Sequence, residues 1–490
     1  MKKNWLMGIC IIVISFVMTS PTYAKTENHT IQDDIIYDIL IDRYNNGNQN
    51  SGEDIDVKDP YAYHGGDLAG IEAKLSEIED LGFTAISLSP LMQNAKKGYH
   101  GHWTTDFKKV EPHFGSMKDL QKLVKSAHEK DIKVILELAP NYVSNDSDIV
   151  KDKADWVLDK QPKKDTYWKE DVSQLDYTNQ AVRDYMLEVG TYWLDESGID
   201  GYIIDEADKL PMTFLETFSK RLKEKNPEFQ LIASLKDQTH YETFKQMDAI
   251  DLVDNQAFTE TADDIFAKVE NPIKPLIKST NGLLAMDDDT QMRFAQIAGE
   301  GGRNALTTWK LALTYMYTSE GVPMVYQGSE LPMYAPGMPE SQMLVQFNSG
   351  DPELKEYMQR IAALRSEFPV LRNGKTEEVG TSEAMTVYKR YNDEDTVFVA
   401  INNDSKSRAV KIADIPEGKR LKGLLGDNIV KRNDDGEYVM TLSRETSEVY
   451  LIEDDTGVNW FLVGFIIMVM VVFVVGIIVL SRKQKARDQA

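Results

Sequence analysis

The sequence predicts an α/β fold: a closed (β/α)8 barrel of the TIM type, with an insertion after strand 3, then a small antiparallel β domain and one C-terminal transmembrane helix. Three observations carry this prediction. Eight short apolar runs between residues 35 and 326 alternate with stretches of helical periodicity, the count for a closed barrel. Beyond residue 375 the pattern changes to short β-rich runs, and residues 460–480 are apolar without a single charge.

Residues 35–41 read as the first strand and 83–88 as the second, with amphipathic spacing at 68–81 between them. A helix at 117–130 leads into a third strand, 133–138, which carries Glu137 near its end. Residues 141–178 break the alternation with Asp, Asn, Lys and Tyr in no period, and so form an inserted domain. A helix at 179–196 restores it, followed by strands at 201–204, 229–233, 249–253, 282–286 and 322–326. The stretch from Gly201 to Lys209 is the presumptive active-site strand, because it ends in Asp205 and barrel chemistry sits at the carboxyl ends of strands. After a helix at 352–368, apolar runs at 386–388, 397–401 and 449–452 define the β domain at 376–453.

Composition excludes several classes of function. With a net charge of −24 the chain would be repelled by nucleic acid and anionic lipid head groups, so a neutral ligand is expected and no nucleic acid. Its one cysteine, Cys10, lies in the first apolar run, which leaves a processed chain without a disulfide, thiol nucleophile or zinc-thiolate site. Lys2-Lys3, the apolar stretch to Val17 and Thr22-Tyr23-Ala24 read as a signal peptide over residues 1–24. The barrel is expected over 25–375 with its inserted domain at about 141–178, the membrane helix over 458–480, and a basic cytoplasmic tail over 481–490. That pattern implies a single-pass protein of the cell membrane with its body outside the cell.

An ordered set of motifs resembles the alpha-amylase family, glycoside hydrolase family 13. It comprises Asp42-Arg43-Tyr44, Tyr63-His64-Gly65-Gly66-Asp67, Tyr99-His100-Gly101, Pro112-His113-Phe114-Gly115, Gly198 to Tyr202 and Gly321 to Glu330, spread over a resemblance of about residues 33–453. The resemblance implies a barrel, an inserted domain after strand three and a C-terminal antiparallel β-sandwich. It also implies retaining glycosidase chemistry, in which a carboxylate nucleophile stands about 5–5.5 Å from a carboxylic acid. Asp205 keeps the nucleophile position. Ile203 replaces the arginine that lies against it, and Ser234 in Ala233-Ser234-Leu235-Lys236 takes the place of the proton donor. A serine hydroxyl is no general acid near neutral pH. The third carboxylate of the family falls on Thr290 when Arg293-Phe294 is kept in register, or on Asp289 after a shift of one residue.

Among sugar contacts implied by the resemblance, the Asn-His after strand three is Asn141-Tyr142, and a stacking tyrosine is His102; His100, Trp103 and Trp168 remain as partners for a sugar. The expected substrate-binding set is therefore His100, His102, Trp103, Tyr142 and Ile203. Calcium is the one cofactor expected, with no organic cofactor. Asn46, Asn48 and Asp67 resemble a calcium loop, against the alternative of an Asn- and Gly-rich turn, and Asn141 is kept from a central site whose aspartate is Gln174 here. Glu137, Glu206, Asp208 and Asp287 to Asp289 would crowd the barrel mouth, as a solvated acidic rim or as a cation site or substitute acid.

The expected protein is a membrane-tethered, alpha-amylase-like protein of carbohydrate metabolism, catalytically impaired, that binds α-glucan, an oligosaccharide or another surface ligand. The alternatives are an active hydrolase or transglycosidase using Glu137 or Glu206 as a displaced acid, and a structural protein whose barrel meets an extracellular protein partner.

Overall fold

The computed structural model describes residues 30–48, 54–159, 163–164, 167–278, 281–413, 415–455, 457 and 460–488, so the signal-peptide expectation lies outside the described residues. Eight parallel strands form the barrel: β1 (Ile36–Ile39), β2 (Ala85–Leu88), β3 (Lys133–Leu138), β4 (Gly201–Ile204), β5 (Gln230–Ala233), β6 (Leu252–Val253), β7 (Leu283–Ala285) and β8 (Val322–Tyr326). β1 pairs with both β2 and β8, and the ring closes between β6 and β7 through a bridge from Asp254 to Leu283. β6 is shorter than the apolar run that predicts it. Asp251 turns its carboxylate back to accept from the Leu231 backbone N–H at 2.8 Å and to meet Lys223, which holds the residues before Leu252 in a turn.

Strand alternation sends every second side chain inward. One residue from each strand (Ile36, Ala85, Ile135, Ile203, Ile232, Leu252, Leu283 and Val322) packs into a single apolar layer that plugs the barrel. The residues between them, such as Tyr37, Ile86, Tyr202 and Leu284, face the surrounding helices. Two positions further along each strand the inward layer is different: Asp38, Ser87, Glu137, Asp205, Ser234, Asp254, Ala285 and Met324. That second layer is the floor of the cleft.

Local signals start the helices that hold this ring. Ser116 forms a capping box with Asp119 at the start of Met117–His128, and Asn179 caps Gln180–Ser197. Gly198 then ends Gln180–Ser197 in the left-handed region at φ 73°, a conformation glycine adopts without steric cost, and so aims the chain into β4. The insertion after β3 carries a two-stranded ladder, Tyr142–Ser144 against Val172–Gln174. Beyond the barrel, a six-stranded antiparallel sheet runs from Lys375–Ser382 to Ile429–Val430 and packs against the pair Arg408–Ile412 and Tyr438–Leu442. Val387, Phe398 and Tyr450 from one sheet meet Val410, Met440 and Leu442 from the other, which makes the β-sandwich. The last helix, Trp460–Asp488, contains the exposed apolar stretch Val463–Arg482, long and apolar enough to cross a membrane, and it continues through the basic residues after Leu480.

Candidate functional site

The inward layer above the plug opens into a cleft of about 320 Å³. Asp38, Glu137, Asp205, Ser234 and Asp254 line it from below, while His102, Tyr142, Trp168, Lys169, Asp288, Asp289 and Thr290 line it from the connecting loops. Ile203 forms an apolar patch of the floor, part of the plug, beside Asp205. No positive charge stands at Ile203 to hold the Asp205 carboxylate ionised. Burial and the neighbouring Glu206 push the Asp205 carboxyl up to about 7, against a lowering by Lys169. Burial, then Asp205, Asp289 and Asp38, raise Glu137 well above the carboxylate range. The same burial, with Lys169 near, lowers the His102 imidazole to about 4, so the ring is neutral at physiological pH.

The backbone after Asp205 takes a left-handed turn at Glu206, φ 46° and ψ 47°, which a side chain resists. Four hydrogen bonds hold it. The Asn141 amide donates to the carbonyls of Asp205 and Glu206 at 3.1 and 3.0 Å, and the Glu206 carboxylate takes Lys169 Nζ at 2.5 Å and the Tyr142 hydroxyl at 2.9 Å. Lys169 and Glu206 are 8% and 9% exposed at their side chains, so this is a buried ion pair. Glu206 is thus committed to Lys169 and Tyr142.

Ser234 is half-buried and faces the cleft, and its backbone N–H donates to the Ile204 carbonyl at 3.0 Å. Asp289 lies over the floor, where Gln342 Nε2 donates to it at 3.0 Å; burial, then Asp288 and Asp38, raise its carboxyl to about 8. Thr290 folds back instead, giving both its hydroxyl and its N–H to Asp288 Oδ1. Of the expected acidic rim, Glu137, Glu206, Asp288 and Asp289 line the cleft, Glu206 through its ion pair with Lys169. Asp287 is not: it is buried, accepting from the Phe294 N–H and the Ser329 hydroxyl at 2.5 Å each, with Arg293 at 3.8 Å. Asp208 also turns inward and accepts the Lys236 N–H at 2.8 Å.

The expected sugar-contacting aromatics divide by exposure. His102 stacks on Trp168 with ring centres 5.2 Å apart and borders the cleft. His100 is fully buried beneath it and accepts the His102 N–H at Nδ1, 3.1 Å away, while Trp103 donates to the Trp168 carbonyl at 2.8 Å. These two support the stack from behind. The Tyr142 hydroxyl is engaged by Glu206.

A calcium cage needs about six to eight oxygens directed at the ion. Both Asp67 oxygens receive backbone N–H groups, from Gly47 at 3.0 Å, Asn48 at 2.8 Å and Gly70 at 2.6 Å. Asn141 directs its amide N–H2 at carbonyls. Asp67 as arranged serves as a helix cap and loop anchor, and Asn141 uses its amide N–H2 to hold the turn after β4; Gln49, Asn50 and Ser51 of the first loop lie outside the described residues.

Sequence reasoning missed Asp38, Asp254 and Lys169. The first two carried a signal, a lone carboxylate inside or just after an apolar strand run at the same inward register as Asp205. Lys169 carried none, because it sits in the unpatterned insertion.

Comparison with known proteins bears on this geometry. The family profile described as "Alpha amylase, catalytic domain" matches residues 38–174, and "Alpha-amylase C-terminal domain" matches 374–450. A solved Anoxybacillus alpha-amylase is 34% identical, with a TM-score of 0.83 over 88% of this chain and 100% of that one. The chain belongs to the alpha-amylase family. A second member of known structure, the alpha-amylase from Geobacillus thermoleovorans complexed with acarbose, is 32% identical with a TM-score of 0.81, over 88% of this chain and 100% of that one. A beta/alpha-amylase of Paenibacillus polymyxa is 28% identical over 85% of this chain, which spans 37% of that relative's length. A cyclomaltodextrinase of Thermoanaerobacter pseudethanolicus is 27% identical over 79% of this chain and 73% of its own length. The catalytic-domain match ends at residue 174, so Asp205, Ser234 and Asp289 of this alpha-amylase-family barrel lie beyond it.

Proposed function

We propose that this alpha-amylase-family protein is held at the cell surface by its C-terminal helix and binds α-glucan chains in the barrel cleft without hydrolysing them by the family's two-carboxylate route. One observation carries the reading: the inward position at the end of β5 is a serine, and the inward position before Asp205 is an isoleucine. Asp205 would retain the nucleophile's place and Asp289, rather than Thr290, the third carboxylate's, since Asp289 faces the floor. Without an acid to protonate the leaving oxygen, a factor of about 100 to 10,000 in rate is absent. The His102–Trp168 stack supplies an apolar face for a pyranose ring, and the relative crystallised with acarbose supports an oligosaccharide ligand. Tethering rests on Val463–Arg482.

Hydrolysis with a displaced acid is the second reading, and it now rests on Glu137. That residue shares the cleft with Asp205, and burial and like charge raise its carboxyl well above the usual carboxylate range, whereas Glu206 is bound to Lys169. The test is product analysis after incubating the full-length protein in detergent with starch, pullulan and maltooligosaccharides. The proposal expects no release of reducing ends beyond a buffer control. Release that disappears in both Asp205→Asn and Glu137→Gln would establish the displaced-acid enzyme instead.

A further inference from the structure

Three side chains in the cleft converge without bonding to one another. His102, Glu137 and Asp205 each present one donor atom, and these atoms lie within 4.8 Å of one another. His102 Nε2 stands 3.9 Å from Glu137 Oε1, and Nδ1 stands 3.9 Å from Asp205 Oδ2, both beyond hydrogen-bond length.

The backbone beneath these side chains is held in place by pairing and packing. Glu137 lies on β3 in register with Ile203 of β4, and Asp205 directly follows β4, its N–H donating to the Leu138 carbonyl at 2.9 Å. His102 is fixed by its N–H on His100 and by its stack on Trp168.

A second observation is separate from this convergence. Neither the His102 ring nor the Glu137 carboxylate makes a hydrogen bond among the described residues, although their side chains are only 16% and 26% exposed. Their donor atoms are therefore open to whatever enters the cleft.

We propose that His102, Glu137 and Asp205 hold a divalent transition-metal cation of the Zn2+ type in the barrel mouth. An imidazole with two carboxylates suits Zn2+ or a neighbouring transition metal, while Ca2+ and Mg2+ prefer oxygen ligands alone. Bonds of roughly 2.0–2.2 Å to one ion bring donors closer together than they stand here, a contraction within reach of side-chain rotation. One imidazole nitrogen binds the ion together with the two carboxylates, and the other takes no part in the site. The ion offsets two negative charges and leaves coordination positions open to the cleft for water or a ligand hydroxyl. This site does not depend on the glucan reading.

The test is calorimetric titration of the full-length, metal-stripped protein in detergent with ZnCl2 and, separately, CaCl2, alongside visible spectroscopy with Co2+. Saturation at one equivalent of Zn2+, with Ca2+ much weaker, is expected. His102→Phe and Glu137→Gln should each weaken Zn2+ binding by more than about 10-fold and abolish the Co2+ spectrum, the least that losing a direct ligand should cost. His240→Phe, at a separate surface histidine, should change neither. Glu137→Gln preserves shape and decides the matter if His102→Phe disturbs the stack. Zn2+ binding unchanged in Glu137→Gln, or absent from the wild-type protein, overturns the proposal.

Discussion

Ser234 and Ile203 occupy two inward positions on neighbouring strands, where the proposed reading lacks an acid for the leaving oxygen and a positive charge against Asp205. If the proposed reading holds, Ser234→Glu combined with Ile203→Arg should raise maltooligosaccharide hydrolysis by about 100-fold or more over the wild-type chain. Reducing-end release measures it, and a double variant with wild-type melting temperature and no gain would place the defect elsewhere in the cleft. The buried pair Lys169–Glu206 makes a different prediction. Lys169→Met leaves an uncompensated carboxylate and should cost roughly 3–5 kcal/mol in denaturant unfolding, much of it recovered in Lys169→Met with Glu206→Gln. Equal destabilisation in the single and double variants would mean the pair is not what holds the Glu206 turn.

At the level of elements, the barrel was legible because each strand writes its own period. Residues 133–138 and 201–204 were read as strands and are strands, and alternation alone assigns Ile203 inward, Tyr202 outward and Asp205 inward. The same rule, applied to Asp38 and Asp254, would have found the other floor carboxylates. Less legible were the insertion and the loops, where position is set by contacts distant in sequence: Lys169 reaches Glu206 across 37 residues, and Asp67 gathers Gly47 and Asn48 from about 20 residues away. A pattern of Asn and Asp there reads equally as a calcium loop or as a turn, and hydrogen-bond direction separates the two. Asp67→Ala should therefore lower stability by about 1–2 kcal/mol through loss of the cap on Leu68–Asp80, with added Ca2+ leaving the melting temperature of either form unchanged. A calcium-dependent rise in the wild-type protein alone would restore the calcium loop.

For the molecule as a whole, an acidic chain that gathers carboxylates in one cleft acquires a direction in pH. Burial lifts the cleft carboxyls Asp254 to about 6 and Asp289 to about 8, and lifts Asp263, outside the cleft on the helix Gln256–Phe266, to about 8, each from an ordinary value near 4. The folded state therefore binds more protons than the unfolded chain from about pH 4 upward, and stability falls as pH rises through that window until it levels off near pH 8. The urea midpoint should be higher at about pH 5 than at about pH 8, and Asp263→Asn should narrow the difference by stabilising the protein at the higher pH. A midpoint that rises with pH would mean that these carboxyls are ionised in the folded protein.

The central claim is a cleft that takes a glucan chain and does not cut it, and calorimetric titration of the full-length protein in detergent with a linear maltooligosaccharide tests it most directly when the recovered sugar is assayed for new reducing ends. Saturable binding is expected, about 3- to 10-fold weaker in Trp168→Ala through loss of the ring that backs His102, with the sugar recovered intact. Cleaved sugar from the wild-type protein and intact sugar from Asp205→Asn would contradict it, as would the absence of any binding heat.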